Sequence, residues 1–179
     1  MKTKQIFLYL FSIVAIISFT GCSYEGPKGP TGANGQNAAV YYSEWFSPTS
    51  WSGSAGDWFF SVSAPDLSQD VVESGVVLAY VWLSGDIYNS TTVRPLPAYV
   101  LGANWSYLIH QYGSMEFTCD MATQPFNASD KFRFIAIPGS SPTLKIASLK
   151  YNTRTKLLNM PYSEACKIFE IKDSLQIPQ

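Results

Sequence analysis

The chain has 179 residues, with 12 Lys and Arg against 13 Asp and Glu, and its aromatic content (15%) slightly exceeds its charged content (14%). No basic run occurs anywhere, which excludes a nucleic-acid binder working through a cationic surface. The single histidine and three cysteines include no CxxC, so no metal centre and no cofactor is indicated.

The chain opens "MKTKQIFLYLFSIVAIISFTGC". Lys2 and Lys4 give a positive start, and Ile6 to Phe19 form a mostly apolar run of 14 residues. A membrane-spanning helix needs about 20 residues, so this run suits the apolar region of an export signal over residues 1–21. An ordinary cleaved signal and an uncleaved anchor are alternatives. The run ends at Thr20-Gly21-Cys22, and a small residue directly before a cysteine resembles the lipobox of bacterial lipoproteins, although Phe19 stands where that family carries leucine. The resemblance implies a diacylglyceryl group and palmitate on Cys22, a membrane held through the N-terminal lipid, and the bacterial cell envelope as location. Ser23 rather than aspartate after the cysteine implies the outer membrane under the enterobacterial sorting pattern. Two or more acyl chains, at about 0.8 kcal/mol per buried CH₂, attach a protein stably. Removal of Lys2 and Lys4 leaves ten basic residues against 13 acidic ones, a net charge of −3.

Residues 22–38 form the anchor and a short linker. Gly26, Gly29, Gly32 and Gly35 start four consecutive triplets, and Ala38 ends the pattern. Glycine at every third place is what a collagen triple helix requires, because only glycine fits at its crowded axis. Two readings stand: a homotrimer stalk, or a Gly/Pro/Asn spacer that at roughly 3.1 Å per residue reaches about 37 Å. Acyl anchor, short Gly-X-Y tract and one globular domain together resemble a set of uncharacterised bacterial lipoproteins of the collagen-like type. The resemblance rests on Cys22 and the four glycines, with "VYYSEWF" following, and implies no activity.

Residues 39–179 have the size of one domain with a real core. Short apolar or alternating runs between Gly, Ser, Pro and Asn clusters predict strands. Val40–Phe46 and Trp58–Ser63 are the first two. "PDLSQDVVESG" predicts a short helix capped by Asp66 or Ser68 and ended by Gly75. Val76–Leu83 is continuously apolar, which predicts a central strand covered on both faces. Pro95 and Pro97 place "VRPLPAYV" at a sheet edge.

In "WSYLIHQYGSMEFTCDM", Gly113-Ser114 predicts a two-residue hairpin turn. That register sets Tyr112 opposite Met115, His110 opposite Phe117 and Leu108 opposite Cys119 on a core face. Trp105, Tyr107, Ile109, Gln111, Glu116, Thr118 and Asp120 then share the outer face. "KFRFIAIP" predicts a strand with Lys131 and Arg133 on the side of Ile135 and Ile137. Tyr162, Ala165, Cys166 and Phe169 follow the spacing of a short C-terminal helix opened by Pro161. The fold class expected is mainly β: an antiparallel, jelly-roll-like β-sandwich of about seven to eight strands with that short C-terminal helix, preceded by the signal peptide and the Gly-X-Y tract.

Cys119 and Cys166 both point to the core in this scheme. They are either a disulfide, closing a loop of 47 residues for about 4 kcal/mol, or two buried thiols. His110 reads as a core or rim histidine, and no GxSxG, HExxH or phosphate-binding loop occurs, so no catalytic residue is assigned. Glu116 and Asp120 on one strand face stand roughly 13 Å apart, too far for a glycosidase pair. Asp86 and Asn89 read as solvated turn residues rather than calcium ligands. The sequons at Asn89, Asn104 and Asn127 mark surface loops.

The leading functional expectation is a non-enzymatic lipoprotein presenting a structural or adhesive head on a short collagen-like stalk. The alternative is a carbohydrate-binding module that stacks surface polysaccharide on Trp105 and Tyr107, with Gln111, Glu116 and Asp120 taking hydroxyls and Trp51 and Tyr88 in nearby loops. An enzyme with an unfamiliar site is the third reading.

Overall fold

The computed structural model describes residues 40–87, 92–125, 129–172 and 175. The signal peptide, Cys22, the glycine triplets, Tyr88, Asn89 and Asn127 lie outside them.

Among the described residues, nine strands form two antiparallel sheets, making a β-sandwich. Sheet A has the order β1 (Tyr41–Tyr42), β9 (Lys131–Ile137), β4 (Val76–Trp82), β5 (Arg94–Pro95). Sheet B has the order β2 (Ser52–Ser54), β3 (Asp57–Ser63), β8 (Ser114–Cys119), β7 (Ala103–Leu108), β6 (Ala98–Val100). The helix between β3 and β4 is α1 (Gln69–Ser74); Ser68 rather than Asp66 caps it, its Oγ accepting from Val71 N, and Gly75 ends it. Three helices follow β9: α2 (Pro142–Lys150), α3 (Arg154–Leu158) and α4 (Tyr162–Phe169).

β4 is buried at every position and lies at the centre of sheet A. Its alternation divides two cores. Val77, Ala79 and Val81 point between the sheets, while Val76, Leu78 and Tyr80 point to the outer face of sheet A. α2, α3 and α4 cover that outer face through Leu144, Ala147, Leu157, Tyr162, Ala165 and Phe169. The terminal helix is therefore one of three in a full layer. The proline-rich segment does lie at sheet edges, split as β5 on sheet A and β6 on sheet B, where a missing N–H breaks no ladder.

The inter-sheet core is an aromatic cluster. Phe60 and Phe117 stack with centroids 5.3 Å apart, and Phe132 meets them edge-on at 5.0 and 5.1 Å. Trp51 closes on Phe60 at 4.8 Å and on Trp105 at 5.9 Å. Edge-to-face rings at these distances add about 0.5–1.5 kcal/mol each beyond the area they bury.

The β7–β8 hairpin departs from the tight-turn register. Trp105 pairs with Cys119, Tyr107 with Phe117 and Leu108 with Glu116, a shift of three positions on β7. Gly113, at φ +78°, is tied elsewhere: its N–H donates to Leu67 O at 3.0 Å and its carbonyl accepts from Ala64 N at 2.9 Å. Those bonds draw Gly113 to the β3–α1 corner and open a loop over 109–113. An odd shift exchanges the faces of a strand. β8 keeps its expected faces, with Met115, Phe117 and Cys119 buried, whereas β7 turns Trp105 inward and Leu108 to solvent.

Candidate functional site

The outer aromatic face expected on the hairpin is not formed. Trp105 is 1% exposed, and its indole N–H donates to Val100 O at 3.1 Å. Tyr107 is half-buried, with its hydroxyl donating to Val77 O at 2.8 Å. Trp51, expected in a polar loop, belongs to the core. Gln111 and Asp120 are exposed and Glu116 is on the outer face, so the polar members remain outside without the aromatic platform. Asn104 lies in β7 rather than in a loop, and its amide and backbone N–H both donate to the Asp120 carboxylate at 2.6 Å, which holds that carboxyl below its usual range.

His110 is likewise outside the core, with its side chain 65% exposed and Nε2 3.2 Å from Glu116 Oε1. Ser61 Oγ approaches the other oxygen of Glu116 at 3.5 Å. Serine, carboxylate and histidine thus meet on one surface, but the carboxylate stands between the other two. Nucleophile activation needs the imidazole between hydroxyl and acid, so this order cannot take a proton from Ser61. Asp86 is no solvated turn residue either: it is 5% exposed and pairs with Arg94 Nε at 2.5 Å.

Cys119 and Cys166 are not joined. Cys119 sits in the inter-sheet core and Cys166 against the helical layer, on opposite faces of sheet A. Burial pushes the Cys119 thiol up to about 11, so at neutral pH it is a small apolar filler. Among the described residues no cluster of three His, Cys, Asp or Glu side chains is placed to hold a metal ion, and no helix is long and apolar enough to cross a membrane.

A concave feature lies elsewhere. A cleft of about 600 Å³ opens between the β1 edge of sheet A and the β3 edge of sheet B. Phe46, Phe60 and Phe134 form its apolar wall, and Thr49, Ser50, Ser52 and Ser63 supply hydroxyls at its rim. Asp66 is the one charged side chain among its described lining residues. Three of its hydroxyls are engaged: Ser43 Oγ accepts from Phe134 N at 3.1 Å, Ser47 Oγ donates to Asp130 O at 2.7 Å while Lys131 Nζ donates to it at 3.0 Å, and Ser61 Oγ donates to Glu116. The sequence signal was the hydroxyl-rich "SPTSWSGS" beside "WFFSVS", which reads only as loop and strand until folding brings the two together.

On the far side of sheet A, Arg133 is fully buried. Its Nε donates to Ser43 O at 2.8 Å, and Nη1 to Tyr162 Oη at 2.5 Å and to Lys172 O at 3.2 Å. The guanidinium carbon lies 4.9, 5.9 and 5.8 Å from the ring centroids of Tyr42, Trp45 and Tyr162. The side chain bolts β1, α4 and the chain after α4 to β9.

No protein-family model matches the chain, no curated protein matches it in sequence, and no solved structure matches it.

Proposed function

We propose that the protein is a non-enzymatic, lipid-anchored component of a bacterial cell envelope, whose β-sandwich is a structural or adhesive head on a short collagen-like stalk. The observation that carries this is the order of segments: a positive start, a 14-residue apolar run, Thr20-Gly21-Cys22, four glycine triplets, and then β1 beginning at Tyr41. The acyl chains on Cys22 hold the protein on the membrane, the tract sets the head clear of the lipid, and the head offers surfaces rather than a reaction centre. The surface array of Ser61, Glu116 and His110 supports a non-catalytic head, because its order is wrong for nucleophilic attack.

The test is membrane fractionation of a bacterium expressing the chain and its Cys22→Ser variant, with radiolabelled palmitate in the medium. The wild-type chain is expected in the membrane fraction carrying label, and the variant is expected without label. Label on both, or on neither, overturns the anchor. Sedimentation equilibrium of residues 23–179 and 39–179 then separates stalk from spacer: a trimer that dissociates without the glycines makes the tract a triple-helix seed, and monomers in both make it a spacer.

A further inference from the structure

We propose that the uncovered half of β3 is a strand-addition site, taking an extended peptide segment of another protein that lies along the cleft between the sheets. The inference concerns what the head binds and holds whether or not Cys22 is acylated.

β2 pairs only with the first part of β3, as Ser54 with Asp57, Gly53 with Trp58 and Ser52 with Phe59. β3 continues to Ser63 without β2 beside it. The direction of its peptide groups follows from its flanks. Gly56 N donates to Met121 O at 2.8 Å and Ala64 N to Gly113 O at 2.9 Å, so even-numbered residues address the β8 side. Peptide groups alternate along a strand, so Ser61 and Ser63 turn their N–H and C=O groups outward, where no backbone group among the described residues meets them.

Exposed edges in soluble proteins are normally blunted by proline, by charge or by brevity. The other three edges show such devices. β1 and β5 are two residues long, β5 contains Pro95, and β6 is three residues long directly after Pro97. Phe60 to Ser63 is "FSVS", four residues with neither proline nor charge, and it borders the 600 Å³ cleft.

The occupant's chemistry follows from the two sides of that edge. A strand added along β3 turns alternate side chains inward, toward Phe46, Phe60 and Phe134, and outward, toward Ser61 and the Glu116 carboxylate beyond it. Apolar residues suit the inner side and Lys or Arg the outer. A sugar would satisfy the rim hydroxyls, but only a peptide matches two N–H and two C=O groups at strand spacing.

The probe is a blocked, fluorescently labelled hexapeptide alternating Val with Thr and Lys, titrated against the full-length chain in detergent. Fluorescence anisotropy reads binding, and amide hydrogen exchange over residues 59–64 reads its place. Saturable binding with slowed exchange in that segment is expected. Ser61→Pro removes one outward N–H without touching the β3–β8 ladder, and should weaken binding severalfold, up to about tenfold, the loss of one peptide hydrogen bond. The same peptide N-methylated on its pairing face should lose binding to the unaltered chain, a result independent of how the variant folds. Absence of binding, binding that survives N-methylation, slowed exchange on addition of cellohexaose but not of peptide, or an edge already occupied by a second copy in sedimentation would each overturn the assignment.

Discussion

Trp105 stands directly opposite Cys119 across the β7–β8 ladder, and its ring lies 5.9 Å from Trp51 and 6.3 Å from Phe132. It is a core residue with its one polar atom satisfied by Val100 O. Trp105→Ala is therefore expected to cost about 3–5 kcal/mol of stability, the usual loss on deleting a buried large aromatic side chain. Urea unfolding followed by circular dichroism measures it; a change within about 0.5 kcal/mol, typical of a surface site, would contradict the placement.

The bolt at Arg133 gives a milder test. Tyr162→Phe removes the hydroxyl that accepts from Nη1 and leaves Nη1 its bond to Lys172 O. The expected cost is about 1–3 kcal/mol, that of weakening a buried charge-assisted bond. Thermal unfolding of the variant checks it.

Cys119 makes the alkaline stability of the protein predictable in sign. Its ordinary value of 9.0 is pushed up to about 11 by burial, so the folded state keeps a proton that the unfolded state releases. The contribution is complete below pH 9 and declines as pH rises through about 11. Tyr80 and Tyr107, also raised chiefly by burial, add to the same fall at higher pH. The difference between wild-type and Cys119→Ala in urea midpoint against pH isolates the thiol: the gap should change over this window and stay flat below it. Native Cys119 should also resist iodoacetamide until urea unfolds the chain.

Gly75 sits where α1 meets β9. A Cβ there would lie 2.1 Å from Ile137 O and 2.7 Å from Val71 O, both backbone atoms. Gly75→Ala must push the helix end away from the strand, at an expected cost of about 1–3 kcal/mol. A variant as stable as the parent in urea would refute that contact.

The Asp120 carboxyl titrates below its ordinary 3.8 because Asn104 donates to it, first from the side chain and then from the backbone. Asn104→Ala removes the larger of these donors, so the Asp120 midpoint should move up toward 3.8, as read by carboxyl carbon shifts in an acid titration. Stability linked to this carboxylate is present above its unfolded value and is lost as pH falls through the lowered one.

What the sequence determined by itself was whatever depends on neighbours along the chain. The unbroken apolar run of Val76 to Leu83 read as a central strand covered on both sides, and the two cores that β4 divides are there. Asp66 or Ser68 and Gly75 marked the ends of α1, the fold choosing Ser68; the prolines marked edges, and the period of Tyr162, Ala165, Cys166 and Phe169 marked the inner face of α4, with Cys166 only partly buried. α2 and α3 gave no such signal: Leu149, 85% exposed in α2, blurs the apolar face on which Leu144 and Ala147 lie. The faces of β7 were beyond local reading. Gly113 permits a tight turn, but its bonds to Ala64 and Leu67, more than forty positions away, move the register by three and exchange core with surface. The same holds for the candidate site. Ser61 and Ser63 are ordinary strand residues in sequence, and only the start of β2 at Ser52, opposite Phe59, leaves their peptide groups facing a cleft. Alternation and capping are properties of adjacent residues, whereas register and the exposure of an edge are set by hydrogen bonds between segments that meet only in the folded chain.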